Sequence, residues 1–324
     1  MSFKLTLGRM GIADVDLFTN EAIAAYYPEA DKSLPEWLFY ALPAAVERTS
    51  FETAVKGATL NKAKLRLLTV SLPGDISEQR RVVEVLATVD EHITHYEALV
   101  EKQRTVRTGL VRDLLKRLPT ALMHELSSMA DVAGGVTLGR KFAGPGTAEF
   151  PYLRVANVQD GHLDLSDVKT MRLPTAAAAK SMLQHGDVLM NEGGDFDKLG
   201  RGAVWRGEIA DCLHQNHVFR VRCSKEQLLP EFLALWAASD FGRRFFLLSS
   251  KQSTNLASIN STQLKRFPVL RPSITQQREV LEPVSALDAV IRCDQRLLET
   301  FRLLKQGLLQ DLVTGTVRVP VARL

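Results

Sequence analysis

Two stretches of roughly forty residues each carry apolar side chains at alternating spacings of three and four. This spacing predicts two helices, each with its apolar residues along one stripe. In the first helix the stripe holds Leu86, Val89, Ile93, Tyr96, Val100, Leu110 and Leu114. In the second helix it holds Val284, Leu287, Ile291, Leu298, Phe301, Leu308 and Leu312.

These two helices are too long to bury their stripes inside a small domain. At a rise of about 1.5 Å per residue, each spans about 60 Å. We therefore expect the two stripes to bury each other. The first helix is predicted over 76–118, with Ser77 as its N-cap and Pro119 beyond its end, and the second over 274–314, ending before Gly315.

Polar residues interrupt both stripes at Gln103, Arg107, Asp294 and Lys305. Polar residues in a helix seam cost stability but favour one register and one orientation of the pair. An alternative interpretation is that both stretches belong to ordinary helices whose long polar side chains reach into solvent.

The helices form part of an internal duplication. Leu34–Leu38 (LPEWL) returns as Leu229–Leu233 (LPEFL), and Ile76–Arg80 (ISEQR) returns as Ile274–Arg278 (ITQQR). The numbering offset between the copies stays between 195 and 199. Two copies of one unit indicate two similar tasks at a fixed separation.

Between the helices, short apolar runs alternate with glycine, asparagine and aspartate, a pattern typical of strands and turns. The predicted strands include Tyr152–Val155, Asp187–Met190, Ala203–Trp205 and His217–Val221. A helix is predicted over Pro230–Phe246, with Phe232, Leu235, Trp236 and Phe245 on its apolar face. Together these elements predict a self-contained α+β domain.

Composition limits the possible classes of protein. A chain of 324 residues that is 45% hydrophobic can form two or three globular pieces. Because no apolar run approaches the roughly 20 residues needed to cross a bilayer, we expect a cytoplasmic protein with no membrane partner. Three cysteines fit a reducing compartment, and a net charge of +4 is compatible with a polyanionic partner.

Three polar loops of the middle region combine small residues with cations and amides, a composition that suits nucleic acid. The first loop holds Arg140 and Lys141, and the second holds Lys198 and Arg201 among several glycines. The third is rich in serine and contains Lys251, Thr254 and Asn255. Any one of these loops alone would be read as a surface turn, but three in one domain favour a binding function.

Three segments resemble the target recognition domains of type I restriction-modification specificity subunits: Pro151–Val158 (PYLRVANV), Glu192–Gly202 (EGGDFDKLGRG) and Thr254–Asn260 (TNLASIN). The duplicated helices resemble the spacer helices of that family. The resemblance implies an α+β fold in which globular recognition domains are joined to two long antiparallel spacer helices that form a coiled-coil pair. It also implies that each recognition domain reads half of a bipartite sequence in the major groove.

Under this resemblance, the chain divides into a partial first recognition domain (1–75), the first spacer (76–118), a complete second domain (125–272), the second spacer (274–314) and a tail (315–324). The expected DNA-binding residues are Arg140, Lys141, Arg154, Asn157, Asp197, Lys198, Arg201, Lys251, Thr254 and Asn255. The implied partners are double-stranded DNA, two methyltransferase subunits docked on the helices, and restriction subunits. The subunit is expected to carry no cofactor, no metal and no catalytic chemistry of its own.

The first copy departs from the family pattern because it matches only the rear of the second domain. Nothing in it corresponds to the stretch from Arg140 to Lys198. A natural truncation, a separate polypeptide that supplies the front, or a later start codon would each explain this. We expect the second domain to read DNA and the first to read poorly or not at all, unless self-association through the helices restores a second half-site.

Other functions stay open at this point. A scaffold that no longer reads DNA is the main alternative, and the absence of a methyltransferase or phosphate-binding motif disfavours an enzyme. The run Asp195–Gly200 lacks the later ligands of a calcium loop. A zinc site built from Cys212, His214, His217 and Cys223 is conceivable, but an ordinary strand with buried cysteines accounts for the same residues.

Overall fold

The computed structural model describes residues 1–2, 8–48, 62–137, 139, 142–194, 199–200, 202–252 and 257–319. The chain divides into two compact units. The first unit combines Met1–Gln103 with Val290–Leu324, and the second unit is Arg104–Ala289. Each unit is described below by itself.

The described helices are α1 (Pro35–Arg48), α2 (Lys62–Leu65), α3 (Ile76–Lys116), α4 (Thr175–Ala178), α5 (Pro230–Ala238), α6 (Asp240–Ser249), α7 (Ser261–Lys265) and α8 (Ile274–Leu308). A π-helical turn, Leu309–Val313, continues α8. Among these helices, none combines the length and apolar character that a membrane crossing requires.

The described strands are β1 (Met123–Glu125), β2 (Ala130–Ala133), β3 (Thr147–Leu153), β4 (Lys169–Pro174), β5 (Asp187–Asn191), β6 (Gly193–Gly194), β7 (Gly202–Val204), β8 (Leu213–His214), β9 (Val218–Cys223), β10 (Lys251–Gln252), β11 (Ala257–Ser258) and β12 (Pro268–Leu270). All of them lie in the second unit. The first unit has only an isolated bridge between Ser2 and Ile23 among its described residues.

The predicted α+β fold with two long helices is confirmed. The stripe residues buried in their own unit are Leu86, Val89, Val100, Val284, Ile291, Leu298 and Leu312. Those that are partly buried are Ile93, Tyr96, Leu110, Leu114, Leu287, Phe301 and Leu308. Near the end of α3 the deepest positions are Val111 and Leu115, because a helix of 3.6 residues per turn drifts relative to a strict heptad.

The polar residues of the stripes pair between α3 and α8, so the interpretation as solvent-reaching side chains is wrong for them. The Gln103 amide donates to Asp294 Oδ2 at 2.6 Å, and Arg107 forms an ion pair with Asp288. Toward the other end of the seam, Lys305 Nζ lies 2.5 Å from Asp90 Oδ1. As one residue number rises its partner's falls, so the helices run antiparallel. Such pairs favour this register over its neighbours.

Two of these ion pairs are duplicates of each other. Arg107 and Lys305 are separated by 198 residues (305 − 107), and Asp90 and Asp288 by the same number (288 − 90). One pair lies in each unit. The internal repeat therefore preserves both the apolar stripe and an ionic contact that fixes its alignment.

Two buried glutamines repeat the same role in the two units. Gln79 accepts a hydrogen bond from the Leu34 N–H at 3.0 Å and donates to the Lys32 carbonyl at 2.8 Å. Its duplicate, Gln277, accepts from the Leu229 N–H at 2.8 Å and donates to the Gln227 carbonyl at 2.8 Å. Each long helix is thus attached to the residues that directly precede a shorter helix by the same pair of hydrogen bonds.

The first unit has a small core in which α1 packs on the start of α3 and the π-helical turn. Its segment 8–34 exposes several large apolar side chains: Ile12, Val15, Leu17, Phe18, Ile23 and Tyr27. Asn20–Ile23 (NEAI) aligns with Asn216–Phe219 (NHVF) in the second copy. In this alignment the counterparts of Leu17 and Ile23 are Leu213 and Phe219, and both are buried. This contrast fits the predicted partial first domain, which stays a prediction.

The second unit is built on a four-stranded antiparallel sheet in the order β2-β9-β5-β7. A second sheet has the order β4-β3-β8, and a small sheet has the order β10-β11-β6. The apolar core beside the four-stranded sheet includes Trp236, Phe246 and Phe267. The candidate site lies at one end of the central strands β5 and β9.

The single helix predicted over Pro230–Phe246 is wrong, because two helices, α5 and α6, occupy this stretch. Ser239 separates them with an extended backbone (φ −68°, ψ 165°) and caps α6 by accepting a hydrogen bond from the Gly242 N–H at 3.3 Å. The break turns the apolar face, so that Phe246 is fully buried and the predicted Phe245 is only partly buried.

Candidate functional site

In the second unit, parts of all three polar loops lie close to the turn that precedes β9. The first loop joins it where the Val136 N–H donates to the His214 carbonyl at 2.8 Å and the Asn216 N–H donates to the Val136 carbonyl at 3.0 Å. The second and third loops are connected by the small sheet, in which Ser258 pairs with both Gly193 and Lys251. Strand pairing therefore brings together segments that are far apart in the sequence.

A carboxylate and an imidazole lie where these segments meet. Glu192 follows β5, His217 precedes β9, and Asn191 pairs with Val218 in the sheet. Glu192 Oε2 lies 2.5 Å from His217 Nδ1, and the Glu192 N–H donates to the His217 carbonyl at 3.0 Å. The side chains of Glu192 and His217 are 29% and 56% exposed, so both are accessible from solvent.

Neither Glu192 nor His217 was among the binding residues predicted from the sequence. Glu192 stands at the head of a motif that resembles the recognition domains, and His217 lies 25 residues later (217 − 192). Only the register of β5 against β9 places them side by side. A polar residue directly after a fully buried strand, as Glu192 is after β5, is the signal that could have identified one of them.

The glycines of these loops serve close contacts within the domain. A Cβ atom on Gly135 would overlap the carbonyl oxygen of His214, and one on Gly193 would overlap that of Ala257. Glycine is required wherever two backbones approach this closely. These two glycines therefore allow the loops to pack closely against their neighbouring strands.

Seven of the ten predicted DNA-binding residues lie outside the described residues, and their role stays a prediction. They are Arg140, Lys141, Asp197, Lys198, Arg201, Thr254 and Asn255. The other three, Arg154, Asn157 and Lys251, lie in the second unit. Of these, Lys251 is exposed at the start of β10, beside the meeting point of the loops.

Asn157 is buried and organises the turn that follows β3. Its Oδ1 accepts from the Arg154 N–H at 2.9 Å, and its amide nitrogen donates to the carbonyls of Asp164 and Asp167 at 2.8 and 3.1 Å. Arg154 donates to the Asp167 carboxylate at 3.0 Å. Hydrogen bonds from Lys169 and Arg154 hold the pKa of Asp167 below its usual range. Asn157 and Arg154 thus shape this turn, and their contact with DNA stays a prediction.

Near β8 and β9, three buried residues, Cys212, His214 and Cys223, have the environment of structural residues. Burial raises the pKa of the Cys212 and Cys223 thiols to about 12 each, so both stay protonated at neutral pH. Burial also lowers the pKa of His214, whose Nδ1 donates to the Val218 carbonyl at 2.7 Å. Within the described ranges, no three His, Cys, Asp or Glu side chains are grouped so as to hold a metal ion.

Comparison with known proteins identifies relatives of both copies. A family model described as the type I restriction modification DNA specificity domain matches residues 1–102. The EcoKI specificity subunit of Escherichia coli is 22% identical over 264 residues, which cover 75% of this chain and 56% of that protein. The StySPI specificity subunit of Salmonella potsdam is 23% identical over 277 residues, which cover 79% of this chain and 58% of that protein.

The fold has a solved counterpart as well. A chain from a structure that describes complex assembly and conformational transition of the type I R-M system aligns with a TM-score of 0.53 at 15% identity. The alignment covers 88% of this chain and 72% of that one. The chain spans a little more than half the length of the two curated relatives. By its domain match over residues 1–102 and its curated relatives, the chain is similar to type I restriction-modification specificity subunits.

Proposed function

We propose that this chain is the DNA-recognition subunit of a type I restriction-modification complex and that residues 125–272 carry its sequence-reading domain. The observation that carries the proposal is the convergence of three polar loops on the turn at Asn216 and His217. Side chains on adjacent loops can reach neighbouring base edges and phosphates of one duplex. The subunit contributes recognition, and its partner subunits contribute the chemistry.

We further propose that the long helices dock methyltransferase subunits and that, when two copies of the chain associate, they set the separation between the two parts of a bipartite target. Large apolar side chains on the outer faces of α3 and α8 support this role, because such residues favour contact with a partner protein. They are Val85, Val106, Val290, Leu297, Leu303 and Leu304. The stripes themselves are occupied by helix pairing, so docking uses a separate surface.

Replacing Lys198 and Arg201 together by Ala is expected to weaken DNA binding by about tenfold or more, because two cations that meet phosphates or guanine edges are lost. The slope of log affinity against log salt should also fall by about 1 for each phosphate contact removed. Fluorescence anisotropy of a labelled duplex across a salt series measures both quantities. Association with the methyltransferase subunits should be unchanged.

The matched control replaces Lys225 and Lys265, two exposed lysines of the same domain, by Ala. It removes the same net charge without touching the three loops, so affinity should change little. If both double variants weaken binding equally, attraction by net charge explains the binding and the loops do not read DNA. If the wild-type chain shows no salt-dependent DNA binding, the protein is a scaffold.

A further inference from the structure

The Glu192–His217 pair is unusual for a surface that binds a polyanion. A carboxylate repels phosphates and weakens non-specific binding to DNA. Its position at the meeting point of the loops is nevertheless well defined, because the backbone of Glu192 is held on both sides. Its N–H donates to the His217 carbonyl at 3.0 Å, and its carbonyl accepts from the Ile259 N–H at 2.8 Å.

The histidine fixes the orientation of the carboxylate. An ionised carboxylate only accepts hydrogen bonds, so His217 Nδ1 must carry the proton that it shares with Oε2. The other ring nitrogen, Nε2, lies 3.4 Å from the Asn216 side-chain nitrogen. No described residue forms a hydrogen bond with the second carboxylate oxygen of Glu192, Oε1. One oxygen is thus held by the protein, while the other can accept from a ligand.

The chemistry of the bases decides which ligand group suits this acceptor. In the major groove, the hydrogen-bond donors are the exocyclic amino groups of cytosine (N4) and adenine (N6), whereas guanine and the thymine carbonyl offer only acceptors there. A carboxylate therefore accepts from cytosine or adenine and repels guanine and thymine. Loss of phosphate attraction is the cost of this selectivity.

We propose that Glu192 is a specificity-determining residue that accepts a hydrogen bond from an exocyclic amino group of a base, and that His217 is its positioning residue. The proposal rests on DNA recognition by residues 125–272. The first copy has Glu21 at the position equivalent to His217 and so does not repeat this pair. The pair therefore belongs to the second domain alone.

Replacing Glu192 by Ala tests the proposal. Duplexes bound by the wild-type chain and by the variant are selected from a random library at one salt concentration and sequenced. The wild-type motif should contain one position restricted to cytosine or adenine, and E192A should lose about tenfold discrimination at that position alone. Which of the two bases is selected identifies the amino group. The salt dependence of binding and the unfolding temperature should not change.

Two further variants separate recognition from structure. His217→Ala leaves the carboxylate but frees its orientation, so discrimination at the same position should fall partially. Glu149→Ala removes an exposed carboxylate on β3, paired with Arg172 at 3.4 Å, and should leave the motif unchanged.

Different results would contradict the role of Glu192 and DNA recognition by the domain. If the wild-type chain selects a motif and E192A selects the same motif with the same strength, Glu192 is not a reader, and DNA recognition by the domain stands. If E192A lowers preference at every position together with the unfolding temperature, its role is structural and the proposal fails. If the wild-type chain selects no motif, the proposed function fails and this proposal fails with it.

Discussion

Replacing Leu298 by Asp is expected to lower the free energy of unfolding by about 4 kcal/mol, the largest stability effect that we predict for a single substitution. Leu298 lies in the seam of α8 and is 8% exposed. A carboxylate at this position must either stay buried without a partner or separate the helices. Urea unfolding followed by circular dichroism measures the change.

The neighbouring residue provides the control. Leu297 is 39% exposed on the outer face of α8, so Leu297→Asp should change the free energy of unfolding by about 0.5 kcal/mol or less. Both variants gain the same charge within the same helix. If their urea midpoints coincide, the seam does not stabilise the fold, and the helix pair has been assigned to the wrong faces.

Replacing Asp187 by Asn is expected to cost about 3 kcal/mol, because it leaves a guanidinium without its counter-charge. Asp187 is 1% exposed and accepts from Arg222 Nε at 2.7 Å and from an Arg222 terminal nitrogen at 2.8 Å. It also accepts from the Gln184 N–H at 2.7 Å. The amide of Asn can accept only part of these hydrogen bonds, because its NH₂ group would face an N–H donor where the carboxylate has an oxygen.

The exposed pair of Glu149 and Arg172 is the reference for this variant. Surface ion pairs contribute about 0 to 1 kcal/mol, so Glu149→Gln should shift the thermal midpoint far less than Asp187→Asn. Because Asp187 lies at the start of β5 and Glu192 follows its end, loss of the Arg222 contact should also reduce the protection of β5 amides in hydrogen exchange. Equal thermal midpoints for the two variants would show that the buried contact does not hold β5 to β9.

The helix pair could be predicted from the sequence because its signal is periodic and sustained over many turns. Leu86, Ile291 and Leu298 follow from spacing alone. The partners of the polar seam residues could not be predicted that way, since Gln103 meets Asp294 only in one antiparallel register. The duplication does indicate part of this pairing, because it relates Arg107 to Lys305 and Asp90 to Asp288.

The candidate site could be predicted as a set of loops but not as a set of contacts. The motif resemblance predicted that Asn157 binds DNA. In the structure Asn157 is buried, and its amide donates a hydrogen bond to the Asp164 carbonyl within the domain. Glu192 and His217 were missed because their proximity depends on strand register, which residue types do not encode locally. The break at Ser239 was missed for a similar reason, since a capping serine inside an apolar helical pattern gives only a weak signal.

The most direct test of the central claim is selection of bound duplexes from a random library by the purified intact chain. The proposed asymmetry, in which the scaffold is duplicated and the reading domain is single, predicts enrichment of one short, continuous motif. Two different motifs at a fixed separation, bound by a monomer, would contradict that asymmetry. No enrichment at any salt concentration at which the chain binds DNA would contradict DNA reading altogether.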